Sequence, residues 1–215
     1  MIYELRQYTL WPGKRETLVD LFDREFLESQ EETGMRVDGQ FRDEDRPDHF
    51  VWVRGFPDMA WRAASLSAFY GGPVWRAHRD AANATMIDSD DVLLLRPAGP
   101  LWDLPAQRPP QGTVEVPETL FTASIAYLPA PVTQDFRDFF AAEVAPTQPV
   151  IACFETEYAE NTFPALPVRT GEHVYVWFSR FSPADPLPVS PPLDDWLAKP
   201  VQTLRLTPTA RSRLR

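Results

Sequence analysis

Ile2-Tyr3-Glu4-Leu5-Arg6-Gln7-Tyr8-Thr9-Leu10 alternates along its length and reads as a β-strand. Pro12-Gly13 turns the chain into a helix whose apolar stripe is Leu18, Leu21, Phe22 and Phe26, the spacing of one helical face. The same order returns in the second half. Leu120 to Leu128 is strand-like, Pro129 and Pro131 break it, and Phe136, Phe139, Phe140 and Val144 form the next stripe, each 118 residues after its counterpart. Further on, His49-Phe50-Val51-Trp52-Val53-Arg54-Gly55-Phe56 is matched by His173-Val174-Tyr175-Val176-Trp177-Phe178-Ser179-Arg180-Phe181, both rich in aromatic and β-branched residues. A second helical region and a closing strand, Val92 to Arg96 and Val201 to Leu206, complete each half. The order β-α-β-β-α-β, twice, predicts an α+β protein of tandem ferredoxin-like repeats.

Such a unit packs its helices on one face of an antiparallel sheet and leaves the other bare. Two copies in one chain cover each other most economically sheet to sheet, which predicts a closed, barrel-like core. The densest punctuation, Pro97-Ala98-Gly99-Pro100 with Pro105, Pro109-Pro110, Gly112 and Pro117, excludes helix interior and central strand and marks a linker. The expected organisation is 1–98 for the first repeat, 99–117 for the linker and 118–215 for the second. The halves are unequal: Pro57 to Ser89 separates the third and fourth strands of the first, only Ser182 to Pro200 those of the second.

With 44% apolar and 24% charged residues, composition is ordinary for a globular chain. A net charge of −10 argues against nucleic acid and anionic membrane as partners. The single cysteine, Cys153, cannot form an intrachain disulfide, and its apolar neighbours predict a buried, inert thiol. No run of about 18 apolar residues occurs, so no membrane span is expected, and the expected location is the cytoplasm.

The run Phe69-Tyr70-Gly71-Gly72-Pro73-Val74-Trp75-Arg76-Ala77-His78-Arg79-Asp80-Ala81-Ala82-Asn83-Ala84-Thr85-Met86, followed by Asp88 to Leu95, resembles the signature of the NIPSNAP family. Tyr3-Glu4-Leu5-Arg6-Gln7-Tyr8 and Gly39-Gln40-Phe41-Arg42 fit the same pattern. The resemblance covers roughly residues 1 to 98; residues 119 to 208 look like a degenerate second copy without the Trp-Arg-Ala-His-Arg segment. It implies membership of the dimeric α/β-barrel superfamily, whose relatives include cofactor-independent monooxygenases and haem-degrading enzymes. The family itself implies no defined reaction.

Strand alternation places Glu4, Arg6 and Tyr8 on one side of the first strand, and Phe50, Trp52, Arg54 and Phe56 on one side of the third. Arg36, Asp38, Gln40 and Arg42 alternate with Met35, Val37 and Phe41. These mixed sides are expected to face the barrel interior and line a small-molecule cavity, with Arg6 and Arg54 for a carboxylate or enolate and Tyr8, Gln40 and Trp52 beside them. The competing expectation is a packed interior in which Glu4 pairs with one of those arginines. Beyond Gly71-Gly72, Pro73 opens a helix whose stripe is Val74, Ala77, His78 and Ala81. His78 is the candidate general base, with Tyr70 and Trp75 as candidate walls of the pocket mouth. His49 and His173 precede equivalent strands and read as structural.

Asp88, Asp90 and Asp91 lack the spacing of a calcium loop and are expected to cap a turn before the closing strand. No His/Cys spacing, Gly-rich phosphate loop or nucleophile elbow implies a metal, nucleotide or serine nucleophile, and no cofactor is expected. The functional expectation is a cofactor-independent enzyme, oxygenase- or isomerase-like, acting on a small hydrophobic or aromatic acid. The alternative is a non-catalytic binding or interaction module. A homodimer is compatible with either.

Overall fold

A computed structural model describes residues 1–182, 185 and 192–215. The first half runs β1 (Ile2–Leu10), α1 (Arg15–Leu21), a π-helical turn (Phe22–Phe26), α2 (Leu27–Glu31), β2 (Arg36–Asp43), β3 (His49–Phe56), α3 (Met59–Tyr70), α4 (Pro73–Asn83) and β4 (Met86–Pro97). The second runs β5 (Leu120–Leu128), α5 (Gln134–Phe139), a π-helical turn (Phe140–Val144), a 3-10 turn (Ala145–Thr147), β6 (Val150–Thr156), β7 (His173–Phe181), a 3-10 turn (Asp194–Trp196) and β8 (Lys199–Pro208). Part of the second helical region expected after β7 lies outside the described residues.

All eight strands close into one antiparallel barrel in the order β1-β3-β2-β8-β5-β7-β6-β4. Each half contributes four neighbouring strands, and the halves join at two short seams. Phe41, Arg42 and Asp43 face Pro208, Thr207 and Leu206 at one; Leu95, Arg96 and Pro97 face Thr156, Glu155 and Phe154 at the other. The π-helical turns fall 118 residues apart, on the apolar stripes recognised in the sequence.

Local chemistry sets the helix boundaries. Asp58 caps α3 by accepting from the Trp61 amide at 2.7 Å, and Thr133 does the same for Phe136 at the start of α5. Pro73, in the first turn of α4, has no amide hydrogen to leave unsatisfied. Gly34 turns the chain from α2 to β2 at φ +90°; its carbonyl accepts from Trp61 Nε1 at 3.0 Å, and the ring lies where a side chain at position 34 would go.

The barrel interior is apolar and filled. Tyr3, Leu5, Phe41, Val51, Val53, Leu93 and Leu95 meet Phe121, Ala123, Ile125, Phe154, Val176, Phe178 and Leu206 in one cluster. The expectation that the mixed faces of β1 and β3 look inward is therefore corrected: Tyr8, Phe50, Trp52 and Phe56 pack outward, against the helices. An eight-stranded barrel has just enough room for apolar side chains, while buried charge needs polar partners, some of which the covering helices supply.

Two smaller corrections follow from burial. Ala77 and Ala81 are exposed, and α4 turns Trp75 and Ala82 to the core with Val74 and His78 half-buried, so its packing face is rotated from the expected stripe. Asp88, Asp90 and Asp91 lie within β4, with Asp88 and Asp91 paired to Thr9 and Gln7, rather than in a turn before it. The 99–117 segment is not bare connection either. Trp102 enters the end of the barrel, 5.1 Å from the Phe154 ring and 5.0 Å from Phe178, and its Nε1 donates to Asp38 at 2.9 Å.

Candidate functional site

Between the first-half strands and α2–α3 lies a cluster of buried charge. Glu4 Oε2 accepts from Arg6 Nη1 and from Arg54 Nε, each at 2.7 Å, and Oε1 accepts from Arg62 Nε at 2.6 Å. Strand register explains two of these contacts, since Glu4 faces Arg54 across β1 and β3. The third arginine comes from α3, where Arg62, Leu66 and Phe69 share the buried face. All four side chains are at most 1% exposed, and three guanidiniums surround one carboxylate.

The partners around this core hold the geometry. Arg54 Nη1 donates to Gln30 Oε1 at 3.1 Å, Arg6 Nε to the Tyr8 hydroxyl at 3.1 Å, and Arg62 Nη1 to Asn161 Oδ1 at 3.0 Å. Arg54 also lies over the Trp52 ring at 5.0 Å, and Arg6 over Tyr8 and Trp52 at 5.4 and 5.5 Å. Burial pushes Glu4 up, but Arg54, Arg6 and Arg62 outweigh it and hold the carboxyl well below its usual range. Burial raises the Tyr8 phenol, which therefore keeps its proton.

The cluster is over-supplied with donors. Arg62 Nη2 and Trp52 Nε1 are buried without an acceptor among the described residues. Arg54 Nη2 stands 2.7 Å from Glu4 Oε2, but no hydrogen bond is aligned there. Beside the cluster is an aromatic cavity lined by Tyr8, Phe22, Phe26, Gln30, Trp52, Phe69, Tyr70 and Trp75. Its free space is about 30 Å³, room for about one water molecule.

The structure thus brings together six of the eight candidate residues: Arg6, Tyr8, Trp52, Arg54, Tyr70 and Trp75. Gln40 lies elsewhere, its side chain accepting from Arg108 at 3.4 Å and its backbone bonding Thr209 and Ser212. His78 is one-third exposed on α4 with Nε2 3.4 Å from Glu25 Oε2, and it does not line the cavity. His49 and His173 each open a strand and bond Thr9 and Tyr158, respectively. Sequence reasoning missed Gln30, Arg62 and Asn161. For Arg62 the signal was present, four residues before Leu66 and seven before Phe69 on one helical face.

Asn161 belongs to the second half. Its loop, between β6 and β7, crosses onto the first half, where Phe163 stacks on Tyr70 at 5.8 Å and Thr162 donates to the Met59 carbonyl at 3.2 Å. The second half has its own sheet–helix layer without the three-arginine cluster, its buried carboxylate being Glu155, paired by Arg137 and Arg96. Register aligns Trp177 with Ser124 as Trp52 is aligned with Arg6, and Ser179 with Thr122 as Arg54 is with Glu4. Ser179 donates to Gln148 at 3.0 Å where Arg54 donates to Gln30. Among the described residues, no three His, Cys, Asp or Glu side chains gather to hold a metal, and no helix is long and apolar enough to cross a membrane.

The closed eight-stranded sheet with helices outside defines an α+β barrel. This fold is shared, over 99% of this chain and 94% of the other, by a proposed monooxygenase of Fusobacterium nucleatum at TM-score 0.57 and 8% identity. A proposed monooxygenase of Lactobacillus acidophilus shares it over 96% and 93%, at TM-score 0.52 and 10% identity. Residues 3–100 match the NIPSNAP family model. A NIPSNAP-like domain protein of Burkholderia xenovorans is 24% identical over 48% of this chain and 90% of its own, at TM-score 0.44. No curated protein matches the chain.

Proposed function

We propose that the first half binds a small organic anion in the layer between its sheet and α3–α4, and that this layer is the reaction site of a cofactor-independent enzyme. The observation carrying this reading is the surplus of buried positive charge: three guanidiniums against one carboxylate, with donors left over on Arg54, Arg62 and Trp52. Buried polar groups are normally satisfied, and an unpaired buried charge is strongly unfavourable. A carboxylate or enolate supplies the missing acceptors, and its apolar body fits the aromatic walls.

The bound anion is a small hydrophobic or aromatic acid. The existing cavity admits only a water-sized guest, so such an acid enters by displacing Tyr70 and Trp75, with Gly71-Gly72 as the joint between α3 and α4. The guanidiniums then stabilise negative charge developing next to a carboxylate or carbonyl, as isomerisation or cofactor-free oxygenation requires. Tyr8, on the cavity wall and bonded to Arg6, is the proton donor that the geometry favours; His78, expected from sequence, reaches the site only if α4 moves. The monooxygenase descriptions of the two full-length fold relatives are compatible with this chemistry.

We read the chain as a duplication, 1–98 and 118–215 joined by 99–117. The paired π-helical turns and the Trp52/Trp177 and Gln30/Gln148 correspondences support two ferredoxin-like units. In this reading the second copy has lost the charged site and contributes a covering loop. The competing reading, a binding module without turnover, is favoured by how little space the layer leaves.

Native mass spectrometry of the purified protein for a co-purified acid, followed by assays of its oxygen uptake and isomerisation, separates the two. Turnover lost in Tyr8→Phe and kept in His78→Ala supports the site as drawn. A retained acid that is never consumed leaves the binding module. Turnover that survives Tyr8→Phe but not His78→Ala moves the chemistry to α4.

A further inference from the structure

The barrel end that Trp102 plugs has a chemistry unlike the rest of this acidic chain. Outside Trp102 and Leu214, both buried in the core cluster, a funnel of about 530 Å³ remains, within the range of small-molecule pockets. Its floor is apolar, made by Trp102, Phe121, Ile151 and Leu214, and its rim carries Arg180, Arg213 and Arg215 against Asp103. On a chain of net charge −10, three arginines at one mouth outnumber Asp103 and the α-carboxylate of Arg215, a local reversal of sign that concentrates anions there.

The rim is also partly preset. Arg213 Nη2 donates to the Pro105 carbonyl at 2.7 Å, which fixes its guanidinium, while its Nε is buried without an acceptor. Among the described residues Arg180 forms no ion pair. An anionic group held between Arg213 and Arg180 gains charge-assisted contacts, and an apolar chain attached to it covers the floor. Neither half of that description suits a neutral polar solute or a bare inorganic ion.

We infer that the Trp102-plugged barrel mouth is a second ligand site, separate from the buried arginine cluster, for an amphipathic anion: a carboxylate or phosphate ester bearing a medium-length apolar chain.

The test is calorimetric titration of the full-length protein with octanoate and with octyl phosphate, using octanol as the uncharged control. Both anions are expected to bind and octanol to bind at least about tenfold more weakly, the difference one charge-assisted contact makes. The ratio of the two anion affinities distinguishes a carboxylate from a phosphate ester. Arg180→Glu, or Arg180→Gln should the reversal impair folding by circular dichroism, is expected to weaken both anions, and Asp103→Lys, at an exposed rim position, to tighten them. Absence of binding, equal affinity for octanol, or indifference to both rim substitutions would overturn the inference. Because Arg180 lines this mouth and not the aromatic cavity, weakening of octanoate by the Arg180 substitution assigns the binding here and keeps the outcome independent of the first site.

Discussion

Replacing Glu4 with glutamine removes one charge and leaves the shape of the cluster nearly unchanged. The carboxylate receives charge-assisted hydrogen bonds at 2.7, 2.7 and 2.6 Å, and hydrogen bonds to charged groups contribute about 1.5–3 kcal/mol each. Their loss is not additive, because the glutamine carbonyl still accepts from one guanidinium. What remains are three buried cations without a counter-charge, and breaking a buried ion pair by removing one partner costs about 3–5 kcal/mol. Against a total stability of about 5–15 kcal/mol, the variant should be visibly marginal. In urea unfolding, with a slope of about 2–3 kcal/mol per molar, the midpoint should fall by about 1–2 M. The sign with pH is also fixed. Because the folded carboxyl titrates below its unfolded value, its contribution is complete above the ordinary glutamate range, about pH 4.3, and drains away as pH falls below it. Wild type should therefore lose stability on acidification by a component that Glu4→Gln lacks. A midpoint shift below about 0.3 M, under 1 kcal/mol, would mean that the arginines are compensated by something other than Glu4.

Three further outcomes follow from burial. Cys153 is buried and its thiol is pushed up to about 11, so the native protein should resist iodoacetamide at pH 8 and react once unfolded in guanidinium; rapid native labelling would contradict the packing around it. Burial raises Asp23 to about 6 despite Arg211, Arg108 and Arg42, so its contribution is lost as pH rises through that value; Asp23→Asn should be more stable than wild type by about 1–2 kcal/mol at pH 8 and equal to it near pH 4, by urea unfolding at both. Trp102→Ala should cost about 3–5 kcal/mol by the same method, because it opens a void against Tyr3, Phe154 and Phe178; a change near zero would make the plug ornamental.

The order of strands and helices was legible because side-chain periodicity survives divergence. β3, β5 and β7 begin and end at the residues that alternation suggested, and the stripes Leu18 to Phe26 and Phe136 to Val144 both pass through a π-helical turn. What alternation could not reveal is which side of a strand faces which layer. A period of two sorts side chains into two sets and is silent on orientation, and here both sets are buried, one by the opposing sheet and one by helices. Glu4, Arg6 and Arg54 looked like the lining of a hollow because the rest of the network is remote in sequence: Arg62 is 58 residues from Glu4, Gln30 is 24 from Arg54, and Asn161 is 99 from Arg62. Proline density likewise singled out the 99–117 segment but gave no sign that Trp102 closes the barrel.

The unequal lengths of the barrel's ladders shape how the molecule opens. Eight residue pairs hold β1 to β3 and nine hold β5 to β7, but each seam between the halves has three. Fluctuations should part the shell along those two short zips before either half loosens. Amide exchange at Arg42 and Arg96 should then outpace exchange at Val53 and Ile125, and a pair of such molecules parted together has the geometry to trade halves.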